Sequence, residues 1–142
     1  MNSIQTDFLA LDTNEFVLAL RESPVSSSCG VLVFEKLSQL KVYIPLQVII
    51  ELNRNLSNLE VSRVFAALSR AKALRIDYAK PPQSLIDKWL FRGAKKGDAV
   101  IVADLEMARI NYLISENRHF ISELTDLPFT VLSSREVLDA LG

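Results

Sequence analysis

The stretch Phe8-Leu9-Ala10-Leu11-Asp12-Thr13-Asn14 carries the fold assignment. Four consecutive apolar residues lack the alternation of a strand with one wet face, so they fit a short strand covered on both sides. The acid that follows lies where such a strand would deliver a side chain to the edge of its sheet. Thr13 and Asn14 are short and polar, suited to capping the next helix, so on this segment alone Asp12 reads equally as a capping or turn aspartate.

Working outward, three further apolar runs read as strands, at residues 42–44, 112–115 and 129–132, with residues 74–77 a weaker fifth. The intervening segments read as helices. Pro45 fits the first turn of a helix over residues 46–56, and Gly97-Asp98 opens an apolar-periodic segment running to about Met107. Residues 26–40, 58–73, 82–92 and 134–141 are expected to be helical as well. Strands that alternate with helices and are continuously apolar imply an α/β fold, a three-layer α/β/α sandwich around a parallel sheet of four or five strands. In such sheets ligands bind beyond the carboxyl ends of the strands.

No repeat, low-complexity tract or linker divides the 142 residues, so one domain spanning 1–142 is expected. With 49% hydrophobic and 23% charged residues, the composition is that of a globular domain able to bury its own core. A formal net charge of -1 excludes a polycation that coats nucleic acid, so any nucleic-acid contact must be local. The single cysteine, Cys29, has no second thiol to pair with and is expected to fill the core in a reducing, cytoplasmic setting. The stretch 8–20 is interrupted by Asp12 and Glu15, unlike a signal peptide, and no apolar run reaches the roughly 18 residues a membrane helix needs.

Other acids stand in unusual company. Glu51 lies among Val48, Ile49, Ile50 and Leu52, a segment otherwise built for burial, with Gln47, Val48 and Asn55 on its helical face. It reads either as a solvated helix glutamate or as an acid at the rim of the apolar stripe, pointing into a polar pocket. Asp98 begins an apolar helix, where a carboxylate favourably meets the helix dipole and caps free amides. Capping does not account for Ser115-Glu116-Asn117-Arg118-His119-Phe120, a polar segment directly after a strand.

Taken in order, these residues resemble the PIN domain family, with likeness in length to toxins of VapBC-type toxin-antitoxin pairs. PIN domains open with a strand and Leu-Asp-Thr-Asn, here Leu11 to Asn14, and place an acid in the helix after the second strand, here Glu51. A third acid begins a helix of the form Asp-Ala-x-Ile, here Asp98 to Ile101. A late strand is then followed by Thr or Ser, any residue, Asp or Asn, two polar residues and Phe, here Ser115 to Phe120. The resemblance implies that Asp12, Glu51 and Asp98 are catalytic and bind metal, and that Asn117 occupies a fourth ligand position usually held by an acid. Asn keeps a carbonyl oxygen for a hard cation but removes one negative charge. Asn14, Ser115, Arg118 and Lys96 are the expected substrate-binding residues.

An all-oxygen ligand set without Cys or His favours Mg²⁺ or Mn²⁺ over Zn²⁺. The resemblance then implies a metal-dependent endoribonuclease that hydrolyses RNA phosphodiester bonds, acts as a homodimer and is held by a small antitoxin protein. Arg92, Lys95 and Lys96 before Asp98, with Arg118 and His119 after Asn117, form either a positive rim for RNA or an ordinary solvated charge run. His119 is expected to pack or hydrogen-bond, and Trp89 and Phe91 to fill the core or an interface. Glu116 and Asp104 are further acids nearby, expected on the solvated surface; the six-residue spacing turns Asp104 away from Asp98 on a helix. A different class, a catalytically weak module that binds RNA or protein, is suggested by Asn117. A receiver-like phosphoacceptor, a third class that fits the parallel sheet and Asp12, would require a paired acid near Asp12 and a different late Thr/Lys arrangement.

Overall fold

The computed structural model describes residues 3–21, 27–117, 119–120 and 123–142. Leu9, Ala10 and Leu11 have no exposed surface because Phe8–Leu11, β1, is the middle strand of a five-stranded sheet of order β3-β2-β1-β4-β5. Its neighbours are β2 (Lys41–Ile44) and β4 (Tyr112–Ile114); β3 (Ala73–Ile76) and β5 (Thr130–Leu132) form the edges. Every pairing is parallel, with Leu9 opposite Val42 on one side and Tyr112 on the other. Helices on both faces make the three-layer α/β/α arrangement. This explains the uninterrupted apolar character of the central strands. The edge strand β3 is less protected, with Leu74 and Arg75 exposed, which is why its sequence signal is the weaker one.

Chain order sets the working edge. The chain runs outward from β1 through β2 to β3, then returns to place β4 on the other side of β1 and continues to β5. The direction of winding therefore reverses between β1 and β4, and a crevice opens beyond their carboxyl ends. Asp12 follows β1 and Ser115 follows β4, and each continues the ladder by one bond: Asp12 N–H to Ile114 O at 3.0 Å and Ser115 N–H to Leu132 O at 2.9 Å.

The helices are α1 (Thr13–Ala19), α2 (Ser27–Val31), α3 (Leu46–Asn55), α4 (Asn58–Leu68), α5 (Gln83–Phe91), α6 (Lys96–Ala108) and α7 (Ser134–Leu141). Capping boxes start α4 (Ser57 with Glu60) and α7 (Ser133 with Glu136). Pro45 occupies the cap position before α3 rather than its first turn.

Two expected helices are shorter than their patterns suggest. The described part of 26–40 starts as α2, widens to a π turn over Leu32–Lys36 and tightens to a 3-10 turn over Leu37–Gln39. Gly30 and the β-branched Val31 and Val33 weaken α-helix propensity, and the altered winding buries Leu32, Val33 and Leu37 together. The segment 58–73 stops being helical at Leu68, because Lys72 N–H bonds Leu37 O and Leu40 O and Ala73 must enter β3. No helix among the described residues is long and apolar enough to cross a membrane.

Candidate metal centre and active site

Asp12 is 4% exposed at the mouth of the crevice, and both of its oxygens are held. Oδ1 accepts the Thr13 N–H at 2.8 Å, capping α1, and Oδ2 accepts the Ser115 hydroxyl at 2.9 Å. Capping and site residue are thus one role. Burial pushes the Asp12 carboxyl up to about 6, opposed by the two hydrogen bonds and aided by the charges of Asp98 and Glu51.

Glu51 reaches the same place from the middle of α3. Its Oε1 accepts the Thr13 hydroxyl at 2.5 Å, and its Oε2 accepts Gln47 Nε2, one turn earlier, at 2.9 Å. Thr13 therefore serves two acids, its N–H bonding Asp12 and its hydroxyl Glu51. Asp98 comes from the first turn of α6. Its carboxyl is raised chiefly by burial, with the charge of Glu51 adding and that of His119 opposing. Gly97 lets α6 come this close to α3: a Cβ there would stand 2.8 Å from Glu51 Oε2.

Asn117 completes the rim. Its Nδ2 approaches Asp98 Oδ2 at 3.4 Å, while its Oδ1 accepts the His119 N–H at 2.9 Å and its own N–H bonds the Ser115 hydroxyl at 2.9 Å. Asn117 thus meets Asp98 with its amide nitrogen while its carbonyl is bound within the loop. The His119 ring pairs with Glu123 at 2.6 Å.

Among the expected substrate contacts, Asn14 and Lys96 are exposed, and Arg118 lies outside the described residues. Ser115 has no exposed surface, and its hydroxyl bridges Asp12 and Asn117, a placement that orients the acid. A cavity of about 540 Å³ opens beside Glu51, walled by Leu46, Ile50, Pro81 and Val100 and edged by Arg54, Lys80 and Lys96. Arg54 and Lys80 carried no signal in the sequence, because only the fold brings them beside Lys96. The roles of Thr13 and Gly97 were hidden likewise: each reads as a helix-start residue, and the third dimension adds the contact with Glu51.

Neither Glu116 nor Asp104 is the solvated acid expected. Asp104 is 3% exposed and receives the Tyr43 hydroxyl at 2.5 Å; burial raises its carboxyl to about 7. Glu116 turns away from Asp98 to accept the Ser134 N–H at 2.9 Å. Trp89 is buried, with its indole N–H on Glu106 at 2.9 Å, whereas Phe91 is 94% exposed.

Three acids from separate segments, gathered beyond the carboxyl ends of a parallel sheet, place the domain in the class of PIN-like α/β folds. Two solved structures share this fold over most of the chain. FitAcB from Neisseria gonorrhoeae is 14% identical, with 89% of this chain and 98% of that chain covered and a TM-score of 0.57. VapC20 of Mycobacterium tuberculosis, a sarcin-ricin loop cleaving toxin, is 19% identical, with 83% and 97% covered and a TM-score of 0.56. No family model and no curated protein matches the chain.

The donor types of the three acids suit a hard divalent cation, and because their ligand oxygens do not all come within 4.8 Å of one another, they would draw closer around it. Asp12 and Asp98 hold their protons more tightly than ordinary aspartates, in part because neighbouring carboxylates repel, and a cation relieves that repulsion. Asp12, Glu51 and Asp98 offer carboxylate oxygens and no sulfur or imidazole, the set preferred by Mg²⁺ and Mn²⁺.

Proposed function

We propose that the protein is a Mg²⁺- or Mn²⁺-dependent endoribonuclease and the toxin of a VapBC-type pair. The observation that carries this reading is that Asp12, Glu51 and Asp98 face one crevice at the sheet's switch point closely enough for their charges to raise the carboxyls of Asp12 and Asp98, beside a cavity edged by three cations. Asp12, Glu51 and Asp98 would hold the ion. When bound, it supplies positive charge that activates a water and stabilises the charge developing on the phosphoryl group. Thr13, Gln47 and Ser115 fix the orientation of the acids, and Arg54, Lys80 and Lys96 are suited to hold the RNA backbone without reading its bases. The likeness to FitAcB, a toxin-antitoxin complex, supports a small antitoxin partner. The outward-facing Phe91 supports a subunit contact in a homodimer.

The test is cleavage of a total-RNA pool by purified protein with Mg²⁺, Mn²⁺ or EDTA, beside Asp12→Asn and Asp98→Asn. Cutting that needs metal and is lost in folded variants is expected; full activity in either variant overturns the assignment. A second reading, a module that binds RNA or protein without cutting it, is favoured by Asn117, which brings no negative charge to the fourth position and donates its amide to Asp98. RNA binding without cleavage under any metal condition would select it.

A further inference from the structure

Behind the crevice lies a second cluster that the proposed nuclease site does not use. Glu15 on α1, Cys29 on α2 and Glu116 after β4 each bring one ligand atom to a common point, all within 4.8 Å of one another. Glu15 has no exposed surface, and neither of its oxygens has a hydrogen-bond partner. What faces it is a second carboxylate and a thiol, groups that as ions repel it. An acid buried in that company requires either a retained proton or a cation.

We propose that Glu15, Cys29 and Glu116 form a buried structural site for a thiophilic divalent cation, with Zn²⁺ as its natural occupant. One thiolate and two carboxylates are within the zinc repertoire, and tetrahedral zinc with bonds of about 2.0–2.3 Å sets its ligands about 3.5 Å apart. The spacing of the three ligand atoms, all within 4.8 Å, leaves at most about 1 Å of contraction for the cluster to close. Mg²⁺ is excluded by the sulfur, which separates this site chemically from the all-oxygen centre at Asp12.

Ser134, at the start of α7, supplies the supporting contacts. Its N–H bonds Glu116 Oε2 at 2.9 Å, and its buried hydroxyl lies 3.5 Å from Cys29 Sγ, where it can donate to a thiolate or serve as a fourth oxygen. In the metal-free chain burial raises the Glu15 carboxyl to about 9 and the Cys29 thiol to about 12, so one entering ion displaces both protons. Three negative ligands and one dication then leave a single net charge, beside the Ser134 donors. The ion would tie the neighbouring helices α1 and α2 to the segment after β4, far along the chain from both.

The probe is Co²⁺ added to the reduced full-length protein. Because Cys29 is the chain's sole cysteine, a thiolate-to-cobalt charge-transfer band in the near ultraviolet locates the ion on it; carboxylate sites give none. The band is expected in the wild type and in Asp12→Asn/Asp98→Asn, displaced by Zn²⁺ and absent in Cys29→Ser. Glu15→Gln should lose it or weaken Co²⁺ binding by at least tenfold. Zn²⁺ at a hundredfold excess over Kd should raise Tm by about 5–10 °C in the Asp12→Asn/Asp98→Asn background. No band in the folded wild type overturns the proposal and leaves Glu15 and Glu116 as a proton-sharing pair; so does a band of unchanged affinity in Glu15→Gln. The wild-type spectrum decides even if a variant fails to fold, and neither result bears on RNA cleavage.

Discussion

Ser115 donates its hydroxyl to Asp12 Oδ2 across 2.9 Å, although 103 residues of chain separate the two. The bond stabilises the ionised acid, so removing it raises an already elevated carboxyl further. Ser115→Ala should move the acidic limb of metal binding from near pH 6 to higher pH and weaken Mn²⁺ binding at neutral pH by about 10–100-fold. Isothermal titration across pH 5–8 measures both. An unshifted limb would remove Ser115 from the site.

The metal-free fold should lose stability as pH rises from about 4 to 9, with Glu15 carrying the dependence above 7. Asp12 and Asp104 both hold a proton in the folded state at pH values where the unfolded chain has released it. The folded state thus binds more protons in that window, and its advantage disappears as pH rises through about 6 for Asp12 and about 7 for Asp104. Thermal melts in EDTA at pH 5 and pH 8 should differ by several degrees in favour of pH 5, with Mg²⁺ narrowing the gap at pH 8. Asp104→Asn, which cannot ionise, should flatten the part of the dependence below about pH 7.

Gly97→Ala tests how closely α6 approaches α3. The added Cβ would meet Glu51 Oε2 at 2.8 Å, and the flexible end of the glutamate would yield before the backbone does. The variant should fold with a stability change within about 1 kcal/mol, since alanine is the better helix former. Its cleavage should fall by about 10–100-fold through a misplaced Glu51. Circular dichroism and the cleavage rate separate the two effects.

If RNA lies along the cavity beside Glu51, its phosphates meet Arg54, Lys80 and Lys96. Replacing any one with alanine should lower the slope of log affinity against log salt by about one unit, uniformly across RNA sequences. Fluorescence anisotropy with a non-cleaving Asp12→Asn protein gives the slopes. Unchanged slopes in all three variants would move the RNA path elsewhere.

The sheet was legible from one-dimensional pattern because a strand covered on both faces is apolar at every position, as Leu9 to Leu11 are. Asp12, Glu51 and Asp98 each stood out as an acid against an apolar run, but that pattern left capping or solvated roles open, and only the resemblance to PIN domains drew the three together as candidate ligands. Contacts between segments left no local trace. Glu15 reads as an ordinary first-turn acid, and its burial against Cys29 and Glu116 follows only from how α1, α2 and the end of β4 pack. Asp104 likewise reads as surface until Tyr43, two strand positions into β2, presents its hydroxyl to it. The winding change over Leu32–Lys36 was hidden because α and π turns share nearly the same apolar spacing.

The strand order also governs when the protein can acquire its chemistry during synthesis. β1 leaves the ribosome long before its second neighbour, β4, which begins at Tyr112. Until then Asp12 lacks both the Ile114 carbonyl that receives its N–H and the Ser115 hydroxyl that orients it. The whole stretch between Leu11 and Tyr112 must therefore emerge before the carboxylate cluster can close, so a nascent chain carries Asp12 long before it carries an assembled site.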